Sequence, residues 1–156
     1  MEKKVLDFEQ TKNKALRILE FRVHSEREMR QKLARAGAEE ENIDKVVEFL
    51  TEYRFLNDEE FARLYLRELK NTKKFGKRRI KSELLKKGID RDIIEEVLAE
   101  EEWDEEDALE PLVRKKLGGN FERKNIEKAV RYFAYKGYGY DEIKTVIERL
   151  QAEEEE

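Results

Sequence analysis

The sequence predicts an all-α protein built of three tandem three-helix repeats in an elongated arrangement. A basic amphipathic segment ends at a glycine three times, at Gly37, Gly88 and Gly137, and an acidic segment follows each glycine. The glycines are 51 and 49 positions apart. Such a period is typical of units that bury their apolar faces by stacking on neighbours. No segment shows the alternation that predicts a strand.

Apolar positions recur at matching offsets around these glycines, which is a stronger signal than any single helix. The pairs that precede the glycines are Met29 and Leu33, Ile80 and Leu84, and Ala129 and Phe133. The positions that follow them are Ile43, Val46, Val47 and Leu50, then Ile94, Val97 and Leu98, then Ile143, Val146, Ile147 and Leu150. We expect all of these side chains to form the cores of the repeats.

The helix boundaries follow from capping signals. Ser25-x-x-Glu28, Asn57-x-x-Glu60 and Asp104-x-x-Asp107 each place a side-chain acceptor beside the unpaired N–H groups of a helix start. The three glycines suit helix ends, where a left-handed backbone is common. We therefore predict helices at 11–23, 25–36, 40–54, 57–74, 76–87, 90–102, 104–117, 122–136 and 140–152.

These helices group into repeats at 11–56, 57–103 and 104–152, with an N-terminal tail at 1–10 and an acidic tail at 153–156. Pro111 falls inside the seventh helix, and we expect it to kink or shorten that helix. Gly118-Gly119-Asn120 marks the loosest connection. Aromatic residues fall at helical spacing and are predicted to pack in cores, with base stacking a second reading: Phe49, Tyr53, Phe55, Phe61, Tyr65, Tyr132, Phe133 and Tyr135.

Composition excludes several classes of protein. The chain of 156 residues is 38% hydrophobic and 46% charged and has no cysteine, so disulfides, thiol nucleophiles and cysteine-containing zinc sites are excluded. No segment approaches the roughly 18 apolar residues of a membrane span, and the N-terminus has no apolar run of signal-peptide length. We expect a soluble, cytoplasmic monomer without metal or cofactor.

Charge is segregated along the chain although the overall net charge is only −4. The middle helix of each repeat is basic: residues 76–87, for example, hold six Lys or Arg and one Glu. The third helices are acidic, with seven Asp or Glu and one Arg in 90–102. An array of basic helices creates a local positive surface. The alternative reading is that basic and acidic helices simply attract one another.

The run Lys77-Arg78-Arg79 favours the first reading, because cations at a helix start oppose the helix dipole and cost stability. With Ile80 and Leu84 buried, we expect Arg78, Arg79, Lys81 and Lys86 to face solvent. By contrast, Arg114-Lys115-Lys116 closes a helix and complements the dipole there. The predicted partner-binding or DNA-binding residues are Lys74, Lys77, Arg78, Arg79, Lys81, Lys86, Arg27, Arg30 and Arg131.

Enzymatic chemistry finds little support in the sequence, and we predict no catalytic residue. His24 lies just before a helix cap without a partner constellation, and we expect a solvated connector residue. Gly76-Lys77 and Gly118-Gly119 lack the spacing and the preceding strand of a phosphate-binding loop. The runs at 39–41, 100–102 and 153–156 are interpreted as helix-start charges and solvating tails, not as metal ligands.

Four ordered blocks carry a family resemblance that covers residues 14 to 150. They are Ala15-Leu16-x-x-Leu19-x-x-Arg22-x-x-Ser25-x-x-Glu28-Met29-x3-Leu33, Phe55-Leu56-Asn57-Asp58-Glu59-Glu60-Phe61-Ala62, Gly76-Lys77-Arg78-Arg79-Ile80-x3-Leu84-x-x-Lys87-Gly88-Ile89 and Phe133-Ala134-Tyr135-Lys136-Gly137-Tyr138-x-Tyr140-x-x-Ile143. In these blocks the chain resembles the RecX regulatory proteins, which modulate the bacterial RecA recombinase.

The resemblance implies a non-enzymatic regulator that lies in the groove of the RecA filament across adjacent protomers. It implies suppression of the filament's ATPase, strand-exchange and co-protease activities, with weak binding to single- or double-stranded DNA. The chain departs from the family in having Lys77 where many relatives have proline, and in its acidic third helices. The second departure argues against strong affinity for DNA.

Two other functions stay open at the level of sequence. Three-helix units with a turn glycine also describe helix-turn-helix DNA-binding domains, but there the last helix enters the major groove. The last helices here are acidic and would oppose phosphate. A helical-repeat adaptor with another partner is separated from a RecX-like regulator only by the family resemblance.

Overall fold

The computed structural model describes residues 5–156. Across that range the chain folds into nine α-helices without a β-strand, so the all-α prediction is confirmed. The only strand-like pairing in the same range is an isolated parallel bridge between Leu6 and Ala38. No helix among the described residues is long and apolar enough to cross a membrane.

The helices lie close to the predicted positions, most of them shorter by one to three residues at an end. They are α1 Phe8–Phe21, α2 Glu26–Arg35, α3 Glu40–Glu52, α4 Asp58–Asn71, α5 Lys77–Lys86, α6 Arg91–Glu100, α7 Glu105–Leu117, α8 Arg123–Tyr135 and α9 Tyr140–Glu155. α7 runs through Pro111 to its predicted last residue, so the proline does not shorten it. α9 extends into the predicted acidic tail.

The first helix begins three residues earlier than predicted, because Asp7 forms an N-cap that the prediction did not include. Asp7 accepts a hydrogen bond from the backbone N–H of Gln10, and the Gln10 side chain accepts one from the backbone N–H of Asp7. The backbone N–H of Leu6 also donates to the carbonyl of Gly37 at 3.3 Å. Residues 5–10 of the predicted tail therefore contact the first repeat, while residues 1–4 lie outside the described residues.

The other capping predictions are confirmed. Ser25 and Asp104 accept hydrogen bonds from backbone N–H groups in the first turns of α2 and α7, and Asn57 Oδ1 accepts from Glu60 N at 3.2 Å. The three turn glycines all have positive φ: 102° at Gly37, 81° at Gly88 and 104° at Gly137. A left-handed residue at the end of each middle helix turns the chain into the third helix.

The chain divides into two compact units. Unit 1 comprises the residues up to Tyr65 together with Leu84–Val97, and unit 2 comprises Leu66–Glu83 together with Leu98–Glu156. The division passes through α4, α5 and α6, so the helices of the second repeat are shared between the units, while the first repeat lies in unit 1 and the third in unit 2.

In unit 1, α1, α2 and α3 pack on one another. Their core consists of Ala15, Met29, Leu33, Ile43, Val46, Val47, Leu50 and Leu56. In unit 2, α7, α8 and α9 pack on one another. Their core consists of Leu109, Val113, Leu117, Ala129, Phe133, Tyr138, Ile143, Val146, Ile147 and Leu150. The two cores repeat the same glycine-anchored pattern, as predicted.

The second repeat also buries its predicted apolar positions. Ile80 and Leu84 of α5 and Ile94 of α6 are fully buried. Leu98 is half-buried, the one exception among the predicted positions that follow the glycines. Burying an aliphatic side chain contributes about 1.5–3 kcal/mol, so the periodic apolar positions account for the packing of each helix.

Candidate functional site

The start of α5 is anchored in unit 2 by backbone contacts. Gly76 N donates to the carbonyl of Lys136 at 2.9 Å, and Arg78 N donates to the carbonyl of Gly137 at 3.2 Å. A Cβ on Gly76 would lie 2.5 Å from the Gly137 oxygen, so only glycine fits there. The basic start of α5 is thus held against the turn between α8 and α9.

A carboxylate offsets the unfavourable cations at this helix start. Lys77 N donates to Glu105 Oε1 at 2.6 Å, so a side chain 28 residues away caps α5. The Lys77 ammonium lies 5.5 Å from the centre of the Trp103 ring. Lys77-Arg78-Arg79 is interpreted from the sequence as functional because cations at a helix start cost stability. These contacts within the protein compensate part of that cost.

Arg79 does not face solvent freely, unlike the prediction. Its guanidinium donates to Glu83 Oε1 at 3.0 Å and to the carbonyl of Tyr135 at 3.1 Å. It also lies 4.5 Å from the centre of the Phe75 ring and 4.7 Å from that of Tyr135. The helical periodicity of α5 puts Arg79 on a face away from the buried Ile80 and Leu84. It contains no information on α8, whose Tyr135 the Arg79 side chain contacts.

Arg78 and Lys81 are cations of α5 for which the described residues provide neither an ion pair nor an aromatic contact. Both side chains are exposed, and no carboxylate among residues 5–156 lies within ion-pair distance of either. They are three residues apart and so share one face of the helix. Lys86 is also exposed, but it interacts with another group of the chain.

Unit 2 contains a cavity of about 410 Å³ lined by lysines, which we call the lysine cavity. Its lining residues are Lys73, Lys74, Leu112, Lys115, Lys116, Tyr132, Phe133 and Lys136. Lys74 has a left-handed backbone, with φ 59°, and its carbonyl accepts a hydrogen bond from the buried Tyr138 hydroxyl at 2.9 Å. Burial raises the pKa of Tyr138 to about 12, so its hydroxyl stays protonated as a donor.

Aromatic rings and cations alternate along a row that leads into this cavity, which we call the aromatic–cation row. Its members in order are Tyr135, Arg79, Phe75, Lys136, Tyr132 and Lys116. The Lys136 ammonium lies 5.2 Å from the centre of Phe75 and 5.6 Å from that of Tyr132. The Lys116 ammonium lies 4.2 Å from the centre of Tyr132.

Of these residues, only Lys74 and Arg79 are among the predicted binding residues. The sequence instead predicts dipole complementation for Lys115 and Lys116, and core packing for Tyr132, Phe133 and Tyr135. Phe133 is indeed buried, but Tyr132 is 39% exposed and Tyr135 70% exposed. The spacing of Tyr132, Tyr135 and Lys136 puts them on one face of α8. This spacing in the sequence could have predicted a shared surface of aromatic and basic side chains on α8.

In unit 1, the predicted cations are partly engaged within the protein. Arg30 forms ion pairs with Asp44 at 2.6 Å and Glu26 at 3.3 Å. Arg27 is exposed, but its side chain passes so close to Gly88 that a Cβ there would lie 2.6 Å from Arg27 Nε. These two arginines therefore have local structural contacts.

Glu28 is the centre of a polar cluster in unit 1. It accepts hydrogen bonds from Arg22 at 2.6 and 3.1 Å and from the Lys87 ammonium at 3.0 Å. Burial alone would raise the pKa of Glu28, but the hydrogen bonds from Arg22, Lys87 and Ser25 N lower it to about 2. Ser25 Oγ also donates to the carbonyl of Lys87 at 2.8 Å. The cluster joins α2 to the end of α5.

His24 is buried, so the prediction of a solvated connector residue was wrong. Only 1% of its surface is exposed, and its Nδ1 lies 2.9 Å from the carbonyl of Arg22. Its Nε2 lies 2.7 Å from the Lys32 ammonium. Because the ammonium can only donate, Nε2 accepts and Nδ1 carries the proton. Burial is the main cause that lowers the pKa of His24.

Arg131 lies on another face of unit 2. It is exposed and lines a groove of about 480 Å³ between α8 and α9. The other lining residues are Ile126, Glu127, Val130, Lys144, Ile147, Glu148 and Gln151. Both acidic and basic side chains rim this groove, unlike the lysine cavity.

Two family models match this chain in the region of the first two repeats. The first three-helix domain of RecX matches residues 12–50, and the second three-helix domain of RecX matches residues 57–98. The regulatory protein RecX of Clostridium perfringens strain 13 is 35% identical over 150 residues, which cover 92% of this chain and 70% of the relative. This chain belongs to the RecX family.

Two further RecX proteins give the same result. The regulatory protein RecX of Vibrio parahaemolyticus is 34% identical over 135 residues, covering 85% of this chain and 86% of the relative. The crystal structure of RecX from Lactobacillus salivarius is similar with a TM-score of 0.80 and 27% identity, covering 93% of this chain and 97% of that one. The RecX relatives are named regulatory proteins, and none of these names describes an enzyme.

Proposed function

We propose that this RecX protein binds the RecA recombinase filament on DNA and lowers its ATPase, strand-exchange and co-protease activities. The observation that carries the proposal is family membership, supported by two domain models and by relatives named regulatory proteins. We further propose that it acts as a non-enzymatic monomer in the cytoplasm, with the filament as its main partner.

The exposed cations of α5 support a role in binding. Arg78 and Lys81 occupy one exposed face without carboxylate partners among residues 5–156. An unpaired positive face attracts an anionic surface, whether acidic protein or DNA phosphate, and accelerates association. Lys77 lies one turn before Lys81 and is also exposed, with its ammonium near the Trp103 ring. We therefore place the first contact with the filament on α5.

No observation favours the helix-turn-helix mode of DNA binding. The last helix of a repeat would have to enter the major groove, but α9 exposes Glu148 and Glu153–Glu155, and α6 exposes Glu95, Glu96 and Glu100. These carboxylates would face phosphates of the same charge. The adaptor hypothesis likewise lacks support of its own now that the family is known.

Co-sedimentation tests the proposed partner. RecA from the same host is assembled on single-stranded DNA with a slowly hydrolysed ATP analogue, and this protein is added before the filaments are pelleted. We expect the protein in the pellet with the filament and in the supernatant with DNA-free RecA. A protein that stays in the supernatant in both mixtures would contradict filament binding.

A further inference from the structure

We propose that unit 2 carries a binding site for single-stranded nucleic acid, in which the lysine cavity holds phosphates and the aromatic–cation row stacks bases. The inference rests on the proposed function for its biological context, since the filament contains such a strand. It goes further by naming the site, the form of nucleic acid and the residues.

The charge of the cavity is the first argument. Five lysines from three separate segments line one cavity: Lys73, Lys74, Lys115, Lys116 and Lys136. No carboxylate among residues 5–156 is within ion-pair distance of any of them. Clustered like charges destabilise the folded protein unless an anion neutralises them. A polyanion with several closely spaced charges is therefore the ligand that this cavity favours.

The neighbouring Arg114 gives an internal comparison. It belongs to the same basic run as Lys115 and Lys116, yet it forms ion pairs with Glu110 at 3.2 Å and Glu153 at 2.9 Å. Helix-dipole complementation would treat the three cations alike. Only Arg114 forms ion pairs among the described residues, whereas Lys115 and Lys116 line the cavity, so their charges remain available to a ligand even though all three cations complement the dipole of α7.

The exposed rings are the second argument. Tyr135 is 70% exposed and holds Arg79 near its ring at 4.7 Å. Tyr132 is 39% exposed at the wall of the cavity. Exposed aromatic rings are surfaces on which the bases of a single strand stack, whatever the base. The row therefore offers bases an ordered surface beside the phosphate-binding lysines.

The combination favours a single strand over a duplex. In a duplex the bases are stacked on one another and cannot reach the rings, whereas a single strand exposes its bases. A free nucleotide would occupy the cavity alone and leave Tyr135 unused, because Tyr135 does not line it. A site that joins a lysine cavity to an external row of rings suits a strand of several nucleotides.

The backbone around the cavity is fixed in advance. The buried Tyr138 hydroxyl holds the Lys74 carbonyl at 2.9 Å, and the carbonyl of Lys136 accepts from Gly76 N at 2.9 Å. Two of the lysines thus lie on backbone segments that hydrogen bonds to other parts of unit 2 hold in place. Such preorganisation reduces the entropy lost on binding.

The test measures binding by fluorescence anisotropy with the full chain and no recombinase. The probes are a labelled single strand of about 15 thymidines, within the size range of known single-strand sites, an abasic strand of the same length, and a duplex. Unlabelled ATP serves as a competitor. The variants are Lys73→Gln with Lys115→Gln and, separately, Tyr135→Leu.

Matched controls remove the same groups elsewhere in unit 2. Lys124→Gln with Lys128→Gln removes two exposed lysines of α8 that do not line the cavity. Tyr140→Leu removes a tyrosine that is 55% exposed and lies outside the row. Circular dichroism melting of all four variants verifies that they are folded.

We expect the wild-type protein to bind the thymidine strand more tightly than the duplex, with little competition from ATP. Tyr135→Leu should weaken binding of the thymidine strand about 5-fold or more and leave abasic binding unchanged. The double lysine variant should weaken binding of both the thymidine and the abasic strand, and should reduce the slope of log K against log salt by up to about 1.4. The control variants should change neither the affinities nor this slope.

Three results would overturn the inference: equal or tighter binding of the duplex, full competition by ATP, or losses in the controls as large as in the test variants. Because RecA is absent, such a failure leaves the proposed regulation of the filament standing. Conversely, strand binding as expected with no co-sedimentation would overturn the regulation and leave this site standing.

Discussion

The backbones of Gly76 and Gly137 lie in direct contact in unit 2, with the Gly137 oxygen 2.5 Å from where a Cβ of Gly76 would be. A Cβ on Gly137 would in turn lie 2.5 Å from Arg79 N. The first turn of α5 therefore docks on the turn between α8 and α9 through two residues without side chains. This contact places Arg79 and Lys136 beside Phe75 in the aromatic–cation row.

Gly76→Ala tests this contact. The new methyl group would overlap backbone atoms that cannot move independently, so we expect a loss of about 2 kcal/mol or more in the free energy of unfolding. Gly119→Ala is the control, because a Cβ there meets no atom within 4 Å, and its positive φ alone costs about 1 kcal/mol. Urea denaturation measures both, and equal losses would contradict the close contact.

Replacing Arg78 and Lys81 with glutamate separates binding from stability. Both side chains are exposed and unpaired among residues 5–156, and acidic residues near a helix start are favourable by about 0.3–1 kcal/mol. We expect unchanged or slightly raised stability and at least about 5-fold weaker filament binding, through a slower association rate. Lys124→Glu with Lys128→Glu is the control, and an equal loss there would indicate a general charge effect.

Arg79→Ala should behave differently from that double variant. Its guanidinium bonds to Glu83 and to the Tyr135 carbonyl and packs on two rings. We expect the free energy of unfolding to fall by about 1–3 kcal/mol. Thermal melting measures the change, and a variant as stable as the wild type would show that Arg79 is a solvent-facing cation after all.

Glu28 should make unit 1 sensitive to acid. Because the folded-state pKa is about 2 against an ordinary value of 4.5, the charged cluster stabilises the protein above pH 4.5. That contribution, roughly 3 kcal/mol, is lost as the pH falls from 4.5 through 2. Glu28→Gln should lower the free energy of unfolding at neutral pH and flatten its dependence on pH, whereas Glu48→Gln, at an exposed position, should do neither. Denaturant titrations between pH 2 and 7 measure the free energy of unfolding of each protein.

His24 gives a second pH dependence with the same sign. Its pKa is lowered below 6.5 mainly by burial, so the folded state favours the neutral ring. The contribution of neutral His24 to the free energy of unfolding is fully present above pH 6.5. It is lost as the pH drops from 6.5 through the folded-state pKa. Because the chain has one histidine, its ring resonances in an NMR titration are unambiguous. A measured pKa at or above 6.5 would contradict the buried, Lys32-bonded geometry.

Much of the fold follows from local rules. The glycine period, the apolar offsets and the caps at Ser25, Asn57 and Asp104 depend on near neighbours in sequence, so the helices were predicted to within a few residues. The start of α1 was missed because the capping pair Asp7 and Gln10 was not recognised. Pro111 did not shorten α7, which buries Leu109 before the proline and Val113 and Leu117 after it.

The candidate site was less predictable than the helices, because its geometry depends on contacts between distant residues. Glu105 caps α5 from 28 positions away, and the Tyr135 carbonyl holds Arg79 from 56 positions away. Neither contact can be derived from the helical periodicity of α5. The lysine cavity likewise joins side chains of Lys73, Lys115 and Lys136 from three segments, a set that only the tertiary structure brings together.

The measurement that tests the central claim most directly is ATP turnover by the host's RecA on single-stranded DNA during titration with this protein. We expect turnover to fall at or below a one-to-one ratio to RecA, with the Arg78 and Lys81 double glutamate variant needing at least about 5-fold more protein. Turnover that stays constant over the whole titration, or that rises, would contradict an inhibitory regulator of the filament.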